Sequence, residues 1–322
     1  MNTIPGPTHV VLGGGPVGAA IAREIVGAGG AVRIVTRSGR DAGVAGATAL
    51  GTDITDPGAV RAATEGADMV FFAAQPAYTN WPPGFPPLVE GVIGGLRGTG
   101  IRLAVVDNLY AYGPTGGAPI REDLPYRATT RKGMARARVA ERFMAAHAAG
   151  DVQVTIARAS DYFGPEAAES LVGERFFGPI IAGKTLRAVG DPDAPHSVTY
   201  VPDFARAIVE LTRHDKAFGG AWHVPSAPAI SIRRLAELAA TAAGAGAPRI
   251  SPTSRTMLRL VGLFSPPVRE TIEMLYEFEE PFILDSSKIE QAFGLTPTPL
   301  EVSIPATVAW WKRHQAEVAA RS

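Results

Sequence analysis

The sequence predicts an α/β protein: a doubly wound parallel sheet of the Rossmann type, with a smaller, discontinuous domain built from the C-terminal half. Three observations carry this prediction. Short apolar runs alternate with helix-like stretches of about a dozen residues through the first 165 positions, the rhythm of βαβ units. A glycine-rich turn, LGGGPVG, joins the first apolar run to the first helix. Runs such as MVFFAA, from residue 69, are apolar throughout, as strands covered on both faces must be.

The elements follow in order. HVVL (9–12) reads as the first strand and 16–27 as its helix, with AVRIVT (31–36) the second strand. ATALGTDIT (47–55) contains the third, and GAVRAATEGA (58–67) the next helix. DMVFFAA (68–74) and IRLAVVDN (101–108) are the fourth and fifth strands, 133–147 is a long helix, and VQVTIARAS (152–160) is the sixth strand. Beyond about residue 165 the rhythm loosens into Gly- and Pro-rich loops. These separate SVTYV (197–201), a helix after Asp203, AWHV (221–224) and a helix capped by Ser231. A last helix carries Trp310 and Trp311. The expected domains are 1–165, with 195–225 returning to the sheet, and a second domain built mainly from 166–322.

The chain has 322 residues, 46% hydrophobic, with formal net charge zero and no cysteine. Zero net charge argues against a nucleic-acid partner, which calls for a basic surplus. Without cysteine there is no disulfide, thiolate metal site or thiol nucleophile, a usage that fits a reducing cytoplasm. The six histidines form no HxxxH-type cluster, so no metal is expected. The longest uncharged run, Met69 to Val89, holds five prolines and does not read as a membrane span. The amino terminus has no signal-peptide pattern, and the expected setting is cytoplasmic.

Within LGGGPVG, Gly13, Gly15 and Gly18 fall at GxGxxG spacing, directly after a strand and opening a helix. The first glycine permits the tight turn, the second a close approach to a pyrophosphate, and the third close helix–strand packing. Pro16, Val17 and Gly18 then bring the helix N-terminus to the phosphate. At the end of strand two, where an NAD site usually carries an acid, stand Arg37 and Ser38. A guanidinium holds a 2′-phosphate that a carboxylate would repel, so NADPH is expected over NADH, with NAD as the lesser possibility.

In their order along nearly the whole chain, these segments resemble the extended short-chain dehydrogenase/reductase superfamily, in its NAD-dependent epimerase/dehydratase group. GTDITDP is similar to the family's strand-three turn, which implies Asp53 and Ile54 beside the adenine. FFAAQPAY is similar to the strand-four turn, which implies that Ala73, Ala74 and Gln75 line the cofactor. DNLYAYGP, IARASDYFGP, HSVTYVPDFARAI and the closing FGLTPTPLEVSIPATVAWW resemble later family segments, and the resemblance implies a substrate-facing role for His196. Many relatives pair through two long helices, which implies a possible homodimer through 133–147.

The chain departs from that family in three places. Its glycine turn is one residue shorter than the usual GxxGxxG. Asn108 stands where the family keeps an active-site serine or threonine, and it can hydrogen-bond but not shuttle a proton. The YxxxK pair is missing: none of the seven tyrosines has a lysine four residues on, and the alignment puts Gly133 and Ala137 in the two places. Candidate proton donors are Tyr162, Lys132 and Tyr110, against the plainer readings of wall residues for the tyrosines and a solvated cation for Lys132.

The expected function is an NADPH-dependent reductase acting on a small carbonyl or conjugated substrate. One alternative is an NADP(H)-binding redox sensor or scaffold without chemistry. Another is a nucleotide-sugar epimerase or dehydratase. In every case the partner is a small molecule, with neither nucleic acid nor membrane.

Overall fold

The computed structural model describes residues 8–321. The chain forms two compact units of nearly equal length. The first comprises Met1–Ala111, Arg131–Arg158 and Phe204–Val224, and the second Tyr112–Thr130, Ala159–Asp203 and Pro225–Ser322. The second unit is therefore not the smaller one, it takes in residues 112–130, and the return to the first unit starts at Phe204 rather than near 195.

The first unit is built on strands β1 (Thr8–Leu12), β2 (Ala31–Thr36), β3 (Ala47–Gly51), β4 (Met69–Phe72), β5 (Arg102–Asn108) and β6 (Val154–Ala159). In chain order β7 (Asp161–Phe163), β8 (Leu186–Val189), β9 (Pro195–His196) and β10 (Val198–Tyr200) come next, and β11 (Ala221–His223) then returns to the first sheet. That sheet runs β11-β6-β5-β4-β1-β2-β3, with β1/β2, β2/β3, β1/β4, β4/β5 and β11/β6 pairing in parallel. The chain winds outward from β1 through β2 and β3, then back through β4 to the other side. The order thus reverses between β1 and β4, the place where open α/β sheets bind ligands. Every residue of β4 and β6 is buried; β4 is apolar throughout, whereas β6 also buries Thr155 and Arg158.

Helices α1 (Pro16–Gly27), α2 (Pro57–Ala63), α3 (Trp81–Leu96) and α4 (Arg131–Ala148) belong to this unit. Helix α3 is absent from the sequence reading because one proline precedes it and four more lie within it. Pro82 and Pro83 sit in its first turn, where amides have no intrahelical acceptor, and Pro86 and Pro87 follow inside it. Its buried face of Phe85, Val89, Val92, Ile93 and Leu96 supplies the stabilisation that propensity lacks. Glycine is required at Gly91 and Gly95, where a Cβ would collide with the Ile54 carbonyl and with Val60, respectively.

The interior of this unit holds one buried charge cluster. Asp107 of β5 accepts from Arg158 Nε of β6 at 2.9 Å, and both side chains are 1% exposed. Arg136 of α4 brings a second guanidinium to within 3.7 Å of the same carboxylate and stacks on Trp81 and Phe85 at 4.4 and 4.6 Å.

In the second unit the strands pair as three two-stranded ladders. These are β10 with β7, β9 with β12 (Ile230–Ser231), and β8 with β13 (Ile250–Thr253). Its core gathers Phe163, Phe176, Phe177, Leu235, Val308 and Trp311 from β7, α5 (Glu174–Ile181), α7 (Ile232–Ala243) and the terminal helix Leu300–Arg321. Helix α6 (Val201–Leu211) precedes α7 and starts before Asp203, whose carboxylate accepts from the Thr298 amide at 2.6 Å. Ser231 caps α7 as its sequence predicts, accepting from the Arg234 amide. Among the described residues no helix is long and apolar enough to cross a membrane.

Removing the shared carboxylate tests the weight of the buried cluster. Asp107→Asn leaves two buried guanidinium groups without their acid, and is expected to cost about 3–5 kcal/mol in urea unfolding, whereas Asp123→Asn, at an exposed ion pair, should leave the unfolding midpoint nearly unchanged.

Candidate functional site

The turn between β1 and α1 assigns a different task to each of its three glycines. Gly13 has φ +114°, and a Cβ there would lie 2.7 Å from the backbone of Ala73 and Ala74, so only glycine lets β1 and the end of β4 approach this closely. At Gly18 a Cβ would collide with the Gly13 carbonyl, so that glycine closes the helix against the turn. Gly15 differs, since a Cβ there meets nothing within 4 Å. Protein packing does not demand glycine at this position, where bare backbone opens α1. Gly15 is the N-cap with no side chain to satisfy the first amides, Pro16 has no amide to offer, and the first helical bond runs from Ala19 to the Gly15 carbonyl at 2.8 Å. The amides of Val17 and Gly18 therefore stand at the positive end of a twelve-residue helix, an arrangement that holds an anion.

The residues expected around this turn fall into two groups. Arg37 and Ser38 follow β2 and are exposed, and the Ser38 hydroxyl accepts from the Arg40 amide at 3.4 Å. Asp53 accepts from both the amide and the hydroxyl of Thr55 at 3.0 and 2.8 Å. Those bonds hold its carboxyl below the usual carboxylate range, and the nearby Arg37 guanidinium adds to the effect. Ile54 is buried at 8% exposure, as a core side chain. Ala73 and Ala74 line the close approach to Gly13, and the Gln75 side-chain oxygen accepts from Arg136 Nη2 at 3.1 Å.

Of the residues expected near the reacting groups, Asn108, Tyr110 and Lys132 lie in the first unit. The Asn108 side-chain oxygen accepts from the Tyr110 amide at 3.2 Å, which ties it to the turn after β5. The Tyr110 ring packs 5.9 Å from that of Trp81. Lys132 is no solvated cation: it is 1% exposed, with Nζ 4.3 Å from the centre of the Tyr78 ring. Lys132 and Arg136 are four residues apart on α4, each one position ahead of Gly133 and Ala137, where the family pair would stand.

Tyr162 and His196 lie in the second unit. Tyr162 is the middle residue of β7, opposite Thr199 of β10. His196 is 1% exposed, and both ring nitrogens are engaged. Nδ1 is 2.9 Å from the Glu277 carbonyl and Nε2 is 2.8 Å from Asp161 Oδ2. The imidazole is stacked between Phe278 and Phe282, at centroid distances of 4.5 and 5.4 Å. Glu277 is 1% exposed, and neither of its carboxyl oxygens has a hydrogen-bond partner. Burial pushes its pKa well above the usual carboxylate range, and the charge of Asp161 adds to this. Sequence reasoning missed Asp161 and Glu277; their only signals were an acid inside the strand SDYF and another in the alternating EFEEPF.

With this geometry in view, the chain can be compared with known proteins. Residues 95–224 match the model of the NAD dependent epimerase/dehydratase family. The order of the motifs along the chain resembles the same group. Residues 9–80, which contain the glycine turn and Arg37, match a family model described as NADP oxidoreductase, coenzyme F420-dependent. A dTDP-glucose 4,6-dehydratase from Streptomyces griseus is 23% identical over 199 residues, covering 62% of this chain and 53% of that protein, so the chain spans about half the length of this relative. Among solved structures, an epimerase from Methanothermobacter thermautotrophicus superposes with a TM-score of 0.81 at 16% identity, over 98% of this chain and 95% of that one. A UDP-glucuronic acid 4-epimerase from Bacillus cereus, in complex with NAD, gives 0.78 at 15% identity, over 98% and 100%.

Glu277 makes a pH-dependent prediction. Its folded pKa is raised, so the folded chain keeps a proton that the unfolded chain releases above about pH 4.3. Stability is therefore lost as pH rises from there toward the folded pKa. Glu277→Gln, which does not titrate, is expected to raise the melting temperature at about pH 8 and to leave it nearly unchanged near pH 4, so that the difference between the two proteins grows with pH.

Proposed function

We propose that this protein is an NADP(H)-dependent oxidoreductase of the epimerase/dehydratase type, acting on a sugar substrate of the nucleotide-linked kind. The observation that carries the reading is the Gly15 position, bare backbone at a helix N-terminus that packing leaves open, in a chain whose central segment matches the epimerase/dehydratase family. The named relatives act on nucleotide sugars or are epimerases, which supports the sugar substrate over the small carbonyl expected from the sequence. Arg37 and Ser38 after β2, within a segment that matches an NADP oxidoreductase model, support NADP(H) over NAD(H).

Residues fit for the cofactor are those of the turn and of the strand ends beside it. The Val17 and Gly18 amides hold the pyrophosphate, Arg37 with Ser38 the 2′-phosphate, Asp53 the adenine side, and Ala73 to Gln75 the wall. When bound, the nicotinamide supplies or accepts a hydride. The chain must move the accompanying proton without the usual tyrosine and lysine, and Lys132 is the buried amine on α4 able to do so. Arg136 keeps a permanent positive charge one turn further on and anchors Gln75.

Parallel titrations with NADPH and NADH, followed by nicotinamide fluorescence, test the cofactor assignment. NADPH should bind roughly ten- to a hundred-fold tighter, and Arg37→Ala should bring the two affinities together. Equal binding of the two by the unaltered protein would overturn the NADP(H) preference.

The glycines offer a separate check. Gly15→Ala is expected to leave the melting temperature nearly unchanged yet weaken NADPH at least about tenfold, whereas Gly18→Ala lowers both.

A further inference from the structure

We infer that helix α8 (Arg255–Gly262) and the turn after it form a docking surface for a membrane rich in anionic lipid. The apolar side chains enter the headgroup boundary, and two arginines meet the lipid phosphates. The inference is independent of the sugar reading above.

Large exposed hydrophobic side chains are not scattered over this chain. Met257, Leu260, Val261, Leu263 and Phe264 fall within one short segment, while among the described residues only Met134, Val302 and Val318 are exposed elsewhere. Single exposed apolar residues are ordinary, whereas a contiguous set marks an interaction site. Leu263 is 70% exposed and Phe264 90%, so both project from the fold.

Local sequence explains the helix, and its packing explains the exposure. Ser254 caps α8, its hydroxyl accepting from the Met257 amide at 3.2 Å. At about 100° per residue, Met257, Leu260 and Val261 share one side and Arg255, Thr256 and Arg259 the other. The close contact is at Gly262, where a Cβ would lie 3.1 Å from Ile272 Cδ1 and 3.2 Å from Arg269 Cα. Helix α8 thus rests on α9 (Pro266–Thr271) and the turn behind it through a bare glycine. The side carrying Met257, Leu260 and Val261 stays uncovered, although it is the side that a helix of this pattern normally buries.

Charge selects the occupant. From Leu238 to Arg269 the chain has no acid and four arginines, in a protein whose charges balance overall. Arg255 is tied to Glu279 through Nε and Nη2 at 3.1 and 2.5 Å. Arg259 and Arg269 are exposed and form no ion pair among the described residues. An acid-free apolar face with arginine on the opposite side suits a helix lying in an anionic interface. Size points the same way. The eight-residue helix is about 12 Å long, too short to supply the roughly 800 Å² that a protein partner commonly buries. Sinking one apolar face about 5–10 Å into the headgroup boundary needs no matching surface. The sequence expectation of no membrane partner came from the want of a spanning segment, and a surface contact requires none.

Vesicle binding by the full chain tests this. Because the sequence has no cysteine, Phe264→Cys offers one site for a nitrobenzoxadiazole label, whose emission reports transfer from water into lipid. With vesicles of phosphatidylcholine and phosphatidylglycerol in equal parts, the emission should rise and shift to the blue. Vesicles of phosphatidylcholine alone should bind at least about tenfold more weakly. Arg259→Gln should weaken binding to the mixed vesicles about fivefold, since one arginine near an anionic surface is worth about 1 kcal/mol. In sedimentation the unlabelled protein should pellet with the mixed vesicles. The double substitution Leu263→Ser with Phe264→Ser should leave it in solution at an unchanged melting temperature, both side chains being exposed already.

A label that stays in water with both kinds of vesicle would overturn the inference, as would pelleting that survives the double substitution. Self-association without lipid, abolished by the same double substitution, would assign the patch to a second copy of the chain and overturn it as well.

Discussion

The first unit depends on how one buried carboxylate is shared. Asp107 is buried near the carboxyl end of β5, and a charge there is tolerable only when it is paired and hydrogen-bonded. Arg158 supplies the close partner from the neighbouring strand and Arg136 the second from α4. Well-packed apolar residues could match such a cluster in stability, so what the cluster adds is placement. Arg136 meets the carboxylate only if α4 is rotated to bring it over Trp81 and Phe85. That rotation also buries Lys132, one turn earlier, and brings Arg136 to Gln75 at the end of β4. The position of α4, and of every polar group on its inner face, follows from satisfying Asp107.

The second unit meets the same electrostatic demand differently. Among the described residues Glu277 has no cation to pair with, and its carboxyl escapes the cost of a buried charge by holding its proton. Asp161 stays near enough to the surface to be partly hydrated and takes His196 as its partner. Two acids in one neighbourhood are thereby driven apart in character, one neutral and enclosed, the other oriented and available. This divergence comes from environment and not from residue type.

How much of this the sequence disclosed varied with the physics involved. The strands of the parallel sheet were legible because full burial leaves a largely apolar run, unbroken in β4. The capped helix α7 was legible because Ser231 and the spacing behind it are local signals. Helix α3 was not, since the penalty for Pro86 and Pro87 is local while the compensation, packing against the Ile54 carbonyl and Val60, is tertiary. The glycine turn could be read as a motif, but only the space around each Cβ separates Gly15 from Gly13 and Gly18. Lys132 suits a solvated helix start in sequence, and Asp161 is just an acid in a strand until His196, 35 residues on, is folded against it. Contacts that far apart in the chain leave no periodicity to find.

The vacated tyrosine and lysine positions limit how the chemistry can have changed. Gly133 and Ala137 still mark one row of α4, and Lys132 with Arg136 forms the adjacent row, about 100° around the helix. A proton carried on that row reaches a different point from one carried on the old row, however long the side chain. A lysine ammonium and a fixed guanidinium also make this row strongly positive, where a tyrosine–lysine pair would carry a phenol and one cation. Simple replacement of one acid by another is therefore excluded by geometry. In the proposed reaction the proton would therefore leave from a different face of the same helix.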